Sequence, residues 1–414
     1  MVSPVVVSPT EVPPLEQLLA GAYAFSVPLT HRFRRVDHRE GLLIEGPSGW
    51  GEFAPFVGYD APTVARWLAA AIESAYGSWP SVVPTRVAVN AIIPAVAIEA
   101  AVELARAAVV EHGCRTIKVK VAEPMQSLDD DAARLRALRA AVGDDVAIRI
   151  DANAAWSLTQ ARTALPILVD AAEGIEYVEQ PCASLDEIAQ LRDALASGGA
   201  GDGDGDGDGD GDGNGDGGGG GGDGAGRGAR AGAGAAGDGA VRIAVDEALR
   251  LDADPFDPQL HARIRAAADV LIVKVAPLGG IAAAHRIAEA VGLPVVVSSA
   301  MDTSVGLSVA ATLAALLDTA NPQSLNSGSP SSGSDSPGPS GGSLAHGLGS
   351  RLLLAADVTR SPLVPRDGSI PVGRVEVDRD LLAAATKRLT PDRITWWHQR
   401  LRDAYPHLPP SFSR

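Results

Sequence analysis

The alternation of two kinds of segment between residues 86 and 320 most constrains how this chain can fold. Short runs rich in β-branched residues alternate with longer stretches rich in Ala, Leu and Arg. The strand candidates are RVAVNAI (86–92), TIKVKV (116–121), VAIRIDA (146–152), IEYVEQ (175–180), VRIAVDE (241–247), VLIVKVA (270–276) and PVVVSS (294–299). Helix candidates between them include 129–141, 157–171 and 279–291. This order predicts parallel strands joined by right-handed crossovers, and seven or eight such units favour a closed barrel over an open doubly wound sheet.

The two ends of the chain do not follow this alternation. The segment LLIEGPSGWGEF (42–53) predicts antiparallel strands, and residues 62–75 predict a helix. Residues 356–414 return to mixed structure and end in the helical pattern ITWWHQRLRDAY. We therefore expect an α/β protein with an α+β capping domain (1–85), a β/α barrel of the modified TIM type (86–355) and a C-terminal segment that packs back on the cap.

Two low-complexity segments interrupt the barrel pattern. Residues 198–240 consist almost entirely of Gly, Asp and Ala, and residues 321–343 are rich in Ser, Gly and Pro. Neither contains enough apolar surface to offset the entropy of ordering, so both are predicted to be disordered insertions. Calcium-binding Gly/Asp repeats are the alternative for the first segment, but those repeats need a large apolar residue in each period, which is absent here.

Polar residues stand at the carboxyl ends of successive strand candidates, where barrel enzymes have their active sites. In chain order they are Lys120, Asp151, Glu179, Asp246, Lys274 and Ser298. The gaps between them are 31, 28, 67, 28 and 24 residues. Without the forty residues 201–240 the longest gap becomes 27, so every gap fits one strand–helix unit. The spacing therefore predicts six side chains at neighbouring positions around one rim.

The residue types at this rim predict a metal-assisted reaction. Asp151, Glu179 and Asp246 supply hard oxygen ligands, as Mg²⁺ prefers and Mn²⁺ accepts. Lys120 and Lys274 lie on either side of them. A metal close to a partly dry lysine lowers its pKa, which suits a general base, and metal charge stabilises an enediolate. Each residue alone would be an ordinary helix cap or surface charge, but the set of five makes coincidence a poor explanation.

Five further residues are candidates for supporting roles. Lys118 points to the same strand face as the first rim lysine and is expected to help keep that lysine neutral. Asn153 and Glu247 are candidates to orient the metal ligands, with ordinary structural roles as the alternative. Ser298 and Ser299 either contact substrate or only satisfy backbone groups.

The rim motifs resemble those of the enolase superfamily. They are TIKVKV, IDANAAW, YVEQP, VDEAL and VKVAPLGG. Further stretches are similar to the o-succinylbenzoate synthase family of the actinobacterial type, within the subgroup that resembles muconate-lactonizing enzymes: HRFRRVDHREGLLIEGPSGWGEFAPF (31–56), VNAIIPA (89–95), SSAMDTSVGL (298–307), HGLGS (346–350) and LLAADV (353–358). The resemblance covers nearly the whole chain outside the two insertions. For such a site the superfamily scheme is a Lys or His base with Mg²⁺ stabilising the enediolate.

This resemblance implies a hydro-lyase of menaquinone biosynthesis. Its substrate would be 2-succinyl-6-hydroxy-2,4-cyclohexadiene-1-carboxylate, which loses water to give o-succinylbenzoate. By resemblance Lys120 removes the proton next to the ring carboxylate, and Lys274 helps stabilise the anion while hydroxide leaves. A loop around residues 31–34 would cover the site, where Arg34 suits the dicarboxylate substrate or is only a solvated surface residue.

Other functions remain open. Two lysines that face a metal also suit an N-acylamino acid racemase, a dipeptide epimerase or a muconate cycloisomerase. A barrel that has lost catalysis and serves as a binding protein is a further alternative, although the complete rim set disfavours it. The sequence leaves the oligomeric state undecided.

Composition and charge exclude some classes of protein. The formal net charge is −16, of which residues 201–240 carry −7 through nine aspartates and two arginines. The rest offers no basic stripe for nucleic acid, and no apolar run reaches the length of a membrane span. The N-terminus lacks the pattern of a signal peptide, and two cysteines cannot form a disulfide framework. We therefore expect a cytoplasmic enzyme.

Overall fold

The computed structural model describes residues 11–33, 36–82, 85–197, 241–320 and 344–409. The two predicted insertions, 198–240 and 321–343, lie outside these described residues, and so does Arg34.

The N-terminal part contains a three-stranded antiparallel sheet with a helix packed on it. The strands are β1 (Ala22–Phe33), β2 (Val36–Gly46) and β3 (Gly49–Phe53), paired in that order. They are preceded by α1 (Leu15–Ala20) and followed by α2 (Ala61–Tyr76). Helix α2 begins where the Asp60 side chain accepts a hydrogen bond from the Thr63 backbone N–H, with proline in the first turn. Its apolar face packs against β3, so the predicted antiparallel strands and helix are confirmed.

The middle of the chain forms a parallel sheet whose seven strands are ordered as in the sequence. Its strands are β5 (Ala91–Ile93), β6 (Thr116–Lys120), β7 (Ala147–Asp151), β8 (Tyr177–Glu179), β9 (Arg242–Val245), β10 (Val270–Lys274) and β11 (Val295–Ser298). Most of their residues are buried, as expected for a sheet covered by helices. The helices are α3 (Ile98–Arg106), continued by a π turn to Glu111, α4 (Leu128–Val142), α5 (Leu158–Ala171), α6 (Leu185–Ser197), α7 (Glu247–Arg250), α8 (Pro258–Ala267), α9 (Val275–Leu278), α10 (Ile281–Val291) and α11 (Ser304–Ala320).

A short segment around His346 joins the two ends of this sheet. His346 forms a parallel bridge with Val89, next to β5, and Gly347 forms one with Ser298 of β11. The His346 Nδ1 accepts a hydrogen bond of 3.0 Å from the Val297 backbone N–H. The predicted β/α barrel is therefore confirmed, with its eighth position occupied by two isolated bridges.

Three strand predictions ran into other elements. The segment 86–92 divides into β4 (Arg86–Ala88) and β5, because β4 pairs antiparallel with β12 (Ser369–Pro371) outside the barrel. The predictions of strand through residues 247 and 276 were also wrong, since α7 begins at Glu247 and α9 begins directly after Lys274. In the first place tertiary pairing overrides a continuous apolar run.

The C-terminal helices contact the N-terminal sheet. They are α12 (Arg379–Thr386) and α13 (Pro391–Ala404). Trp397 of α13 packs edge-on against Phe53 of β3 with 6.4 Å between ring centroids, and its indole N–H donates to Glu40 of β2. The return of the C-terminal segment to the cap agrees with these contacts, while the exact domain boundaries stay a prediction.

Cap and barrel are joined through two buried carboxylates that accept hydrogen bonds from helix N-termini. Glu52 of β3 accepts from the Thr303 N–H and hydroxyl and from the Gly306 N–H at the start of α11. Glu73 of α2 accepts from the Ala282 N–H in the first turn of α10. The unpaired N–H groups of a helix start favour negative charge, so these contacts fix how the cap sits on the barrel rim.

Candidate active site

The predicted rim residues do lie together at the carboxyl ends of the barrel strands. Lys120, Asp151 and Glu179 are the last residues of β6, β7 and β8, and parallel pairing sets Lys120 opposite Asp151 and Asp151 opposite Glu179. Asp246 directly follows β9, and Lys274 ends β10. All five side chains are buried.

The lysines of the TIKVK strand point into the acidic cluster. The Lys118 Nζ lies 2.8 Å from Glu179 Oε2 and 3.1 Å from Asp151 Oδ2. Lys120 Nζ lies 2.6 Å from the same Asp151 oxygen and donates to Asn153 Oδ1, also at 2.6 Å. Burial lowers the pKa of Lys118, but Glu179 and then Asp151 outweigh it and raise that pKa above its ordinary value. Lys118 therefore carries a positive charge beside Lys120.

The remaining lysine forms the opposite side of the cluster. Lys274 Nζ pairs with Asp246 Oδ2, and its side chain is almost fully buried. Lys120 pairs with Asp151 and Lys274 pairs with Asp246, so the two ammonium groups lie on opposite sides of the carboxylate cluster along the rim. Two lysine side chains from different strands therefore line one cavity.

Glu179 is the least satisfied of the three carboxylates. Its Oε1 is buried and has no hydrogen-bond partner among the residues that the structure describes. Burial, followed by repulsion from Asp151, raises the pKa of Glu179 to about 7. Within the described ranges no three acidic, histidine or cysteine side chains already surround a common point as a metal cage does. One oxygen of each of Asp151, Glu179 and Asp246 faces a lysine ammonium group instead.

A cavity of about 350 Å³, which includes space open to solvent, lies between the lysines and the cap. Lys118, Lys120, Asp151 and Lys274 form its charged floor, and Ser298 and Ser299 border it. Its apolar wall consists of Phe56, Ile92, Ala300 and Met301. Sequence analysis missed this wall, because its residues come from three separate segments, around 56, 92 and 300–301, and no local pattern connects them.

Met301 adopts a strained backbone at this wall. Its φ is +66°, a region that few residues other than glycine adopt. The buried Arg39 of the cap holds it there, with Nε donating to the Met301 carbonyl at 3.1 Å and the guanidinium 4.6 Å from the centre of the Phe56 ring. Arg39 thus connects both apolar sides of the cavity, and sequence analysis did not single it out.

The residues predicted to support the site, Asn153, Glu247, Ser298 and Ser299, lie at or beside the cavity. Asn153 accepts from Lys120, as described, and its Nδ2 lies 3.3 Å from Glu247 Oε1. Ser298 Oγ lies 3.5 Å from the Gly347 carbonyl, and the Ser299 hydroxyl bonds the Ser350 hydroxyl at 2.6 Å. Both serines therefore border the cavity while also satisfying polar groups of the chain, so neither of the two predicted roles is excluded.

Comparison with known proteins identifies the family. Residues 24–75 match the family described as enolase N-terminal domain-like, and residues 100–198 match the one described as enolase C-terminal domain-like. The chain is 39% identical over 380 residues to o-succinylbenzoate synthase of Thermobifida fusca, which covers 90% of this chain and 96% of that protein. It is 37% identical over 402 residues to o-succinylbenzoate synthase of Mycobacterium tuberculosis, covering 97% and 98%. The chain belongs to the o-succinylbenzoate synthase family.

Solved structures agree with the enolase-like fold of this family. Muconate lactonizing enzyme from Pseudomonas putida superposes with a TM-score of 0.59 at 15% identity, covering 91% of this chain and 99% of that one. Dipeptide epimerase from Enterococcus faecalis V583, complexed with Mg and the dipeptide L-Leu-L-Tyr, gives a TM-score of 0.57 at 18% identity, covering 86% and 97%. The o-succinylbenzoate synthases are hydro-lyases of the menaquinone pathway that act on a small molecule. Among the helices that the structure describes, none has the length and apolarity needed to cross a membrane.

Proposed function

We propose that this chain dehydrates 2-succinyl-6-hydroxy-2,4-cyclohexadiene-1-carboxylate to o-succinylbenzoate with Mg²⁺ or Mn²⁺ bound by Asp151, Glu179 and Asp246. The observation that carries the proposal is the arrangement of two lysines on either side of three carboxylates, next to a cavity with an apolar wall. Near full-length identity to curated o-succinylbenzoate synthases supports the choice of substrate. The cytoplasm is the proposed compartment, since both cysteines are unpaired.

A divalent cation fits the residues present. Three carboxylates on adjacent strands are the hard oxygen donors that Mg²⁺ prefers. The unpartnered Glu179 oxygen is a buried acceptor that a cation would satisfy, and the pKa of Glu179 is raised first by burial and then by repulsion from Asp151, both of which a bound cation would offset. When bound, the cation would supply positive charge where the substrate carboxylate gains negative charge during proton removal.

Lys120 is proposed as the base. Its Nζ lines the cavity and is oriented by Asp151 and Asn153. It would take the proton from the ring carbon next to the carboxylate, and the C–O bond to the ring hydroxyl would then break. Protonated Lys120 would return this proton to the departing hydroxide, so that water leaves and the ring becomes aromatic. The positive charge of Lys118 would favour the neutral form of Lys120 that a base needs, against the carboxylate of Asp151, which favours the ammonium form.

The other side chains bind and orient the substrate. Lys274, on the opposite side of the cavity, would stabilise the anion by its ammonium charge. Phe56, Ile92 and Met301 offer an apolar wall for the ring and exclude water from it. Ser298 and Ser299 are proposed to contact the substrate, and the role of Arg34 stays a prediction.

A second candidate function follows from the presence of two lysines at one cavity. A racemase or epimerase needs one group to remove a proton on one face and another to return it on the opposite face. Lys120 and Lys274 both line the cavity and are the candidates for these two groups. N-succinylamino acids are therefore the competing substrates to test.

The deciding experiment measures turnover of both substrates by the chelator-treated full-length protein with and without added Mg²⁺. We expect Mg²⁺-dependent formation of the aromatic product, followed by its absorbance, at a higher kcat/KM than racemisation of N-succinylamino acids. Lys120→Ala should lower kcat by roughly 10²- to 10⁴-fold, the usual contribution of a general base. The exposed Lys387→Ala is the matched control and should keep wild-type turnover. Near wild-type turnover by Lys120→Ala contradicts the assigned base, and faster racemisation supports the second function.

A further inference from the structure

Arg250 joins the cap to the carboxylate cluster from outside the cavity. Its guanidinium is buried, with the residue only 4% exposed. Nε donates to Asp246 Oδ1 at 2.9 Å, and Nη2 donates to Glu247 Oε1 at 2.5 Å. Nη1 donates to the hydroxyl of Tyr59, a cap residue that precedes α2, at 2.9 Å. One side chain thus contacts three acceptors on two parts of the molecule.

Local sequence places Arg250 in this position. Asp246 directly follows β9 and precedes α7, so the residue four positions later returns to the side of the helix that faces the Asp246 side chain. Burial lowers the pKa of Arg250, but Asp246 and Glu247 outweigh it and raise the pKa above its ordinary value. The planar group with its fixed donors orients its partners in a way that a lysine cannot.

Two of the three cavity lysines, Lys274 and Lys120, connect to the acceptors of Arg250. Lys274 pairs with the second oxygen of Asp246, whose first oxygen Arg250 holds. On the other side, Glu247 lies within hydrogen-bonding distance of Asn153, and Asn153 accepts from Lys120. The orientation of Arg250 therefore affects both sides of the rim.

We propose that Arg250 is a positioning residue that fixes Asp246 for binding the divalent cation, and that Tyr59 couples cap docking to this orientation. The inference rests on the proposed metal site. Groups that stand behind a metal ligand determine its rotamer and its affinity. Arg250 holds Oδ1 of Asp246 and leaves Oδ2 directed toward Lys274. Removal of the Arg250 guanidinium should therefore release the Asp246 carboxylate from this orientation.

If Arg250 had only a structural role, its substitution would have the effects expected of any cap-to-barrel contact. Arg66 provides such a contact for comparison. Arg66 of α2 donates to the backbone carbonyls of Arg250 and Asp252, at 3.2 and 2.9 Å. It also joins the cap to the segment after β9, but these hydrogen bonds go to backbone rather than to a rim carboxylate. If Arg250 served only to attach the cap, loss of either arginine would have the same consequences.

The test compares Mn²⁺ binding to chelator-treated full-length wild type, Arg250→Gln, Arg250→Lys, Tyr59→Phe and Arg66→Gln. Free Mn²⁺ is measured by electron paramagnetic resonance, and kcat, KM and Tm are recorded for each variant. We expect Arg250→Gln to raise the Kd for Mn²⁺ about 10- to 100-fold. Arg250→Lys should restore part of this loss, and Tyr59→Phe should raise Kd roughly two- to tenfold. Arg66→Gln should lower Tm while its Kd stays at the wild-type value.

The outcomes separate this inference from the proposed function. Wild type that binds no Mn²⁺ overturns both. Wild type that binds Mn²⁺ while Arg250→Gln binds it equally well overturns only the role of Arg250, and so does an equal rise in Kd for Arg66→Gln. If Arg250→Gln does not fold, wild-type Kd values for both Arg250→Lys and Tyr59→Phe overturn the proposal.

Discussion

Two buried carboxylates, Glu179 at the barrel rim and Glu52 at the junction with the cap, are satisfied in different ways. Glu52 accepts hydrogen bonds from Thr303 and Gly306, around the start of one helix. Glu179 faces Lys118 with one oxygen, while its other oxygen has no partner within the described part of the chain. Glu52 is thus satisfied by the chain itself, whereas Glu179 keeps one buried acceptor that the described chain does not satisfy.

The charges around these two carboxylates come from different residue types. Burial, followed by the charge of Asp302, raises the pKa of Glu52 to about 7, against hydrogen bonds from Thr303 and the positive charge of Arg39 that lower it. Burial, followed by the charge of Asp151, raises the pKa of Glu179 to the same range, against the positive charges of Lys118 and Lys274. The opposing charge therefore comes from a cap arginine at the junction and from the cavity lysines at the rim.

The largest effect should come from removing one rim charge. Glu179→Gln keeps an oxygen for Lys118 but removes one of three charges needed for the cation. We expect a fall in kcat/KM of at least about 100-fold, since even residues behind a metal ligand reach that loss. The Tm of the metal-free variant should equal or exceed that of wild type, because one buried like charge is gone. A large fall in Tm, measured by calorimetry, would instead make Glu179 a structural carboxylate.

An intermediate effect, on stability alone, should come from the junction. Glu52→Ala leaves the donors of Thr303 and Gly306 without their acceptor. Each buried unsatisfied group costs about 1–3 kcal/mol, so Tm should fall by several degrees, at roughly 2–4 °C per kcal/mol. Titration of the folded variant should give the wild-type Kd for Mn²⁺. A loss of metal affinity as large as that of Glu179→Gln would remove the distinction between the two groups.

The smallest effect concerns the pH dependence of stability. Because the pKa of Glu52 is raised in the folded state, the folded protein keeps a proton that the unfolded chain releases. Its contribution to stability is therefore lost as pH rises from about 4.5 to about 7. Glu52→Gln resembles the neutral form and removes this dependence, so wild type should lose more unfolding free energy than the variant between pH 5 and pH 7.5 in urea titrations. Parallel pH profiles would contradict the raised pKa.

The sequence was sufficient to predict the barrel and its rim residues. Strand-end residues fall at one edge of any parallel barrel, so the spacing from Lys120 to Lys274 located them without knowledge of the side-chain contacts. The partners of Lys118 could not be predicted in the same way. Its side chain contacts Glu179, two strands away, and this distance depends on how the barrel curves.

The residues that could not be predicted from the sequence are those that contact distant segments of the chain. Arg250 lies four residues after Asp246, a spacing that predicts a side-chain contact only within a helix. The sequence did not show that a helix begins at this position. Arg39 and Glu52 lie in the cap, and their partners are more than two hundred residues away in sequence. No periodicity connects such positions, because the contact arises from docking of two folded parts.

The bridge at His346 explains where the barrel tolerates added length. Its Nδ1 accepts from Val297, and its Nε2 lies 3.4 Å from Asp318 in the last turn of α11, so side-chain contacts join residues on either side of the segment 321–343. When such contacts hold the chain on both sides of a loop, each doubling of the loop length costs only about 0.6 kcal/mol. This position of the barrel can therefore vary in length without any change in the spacing of the rim residues, and is a natural point for inserting a reporter peptide.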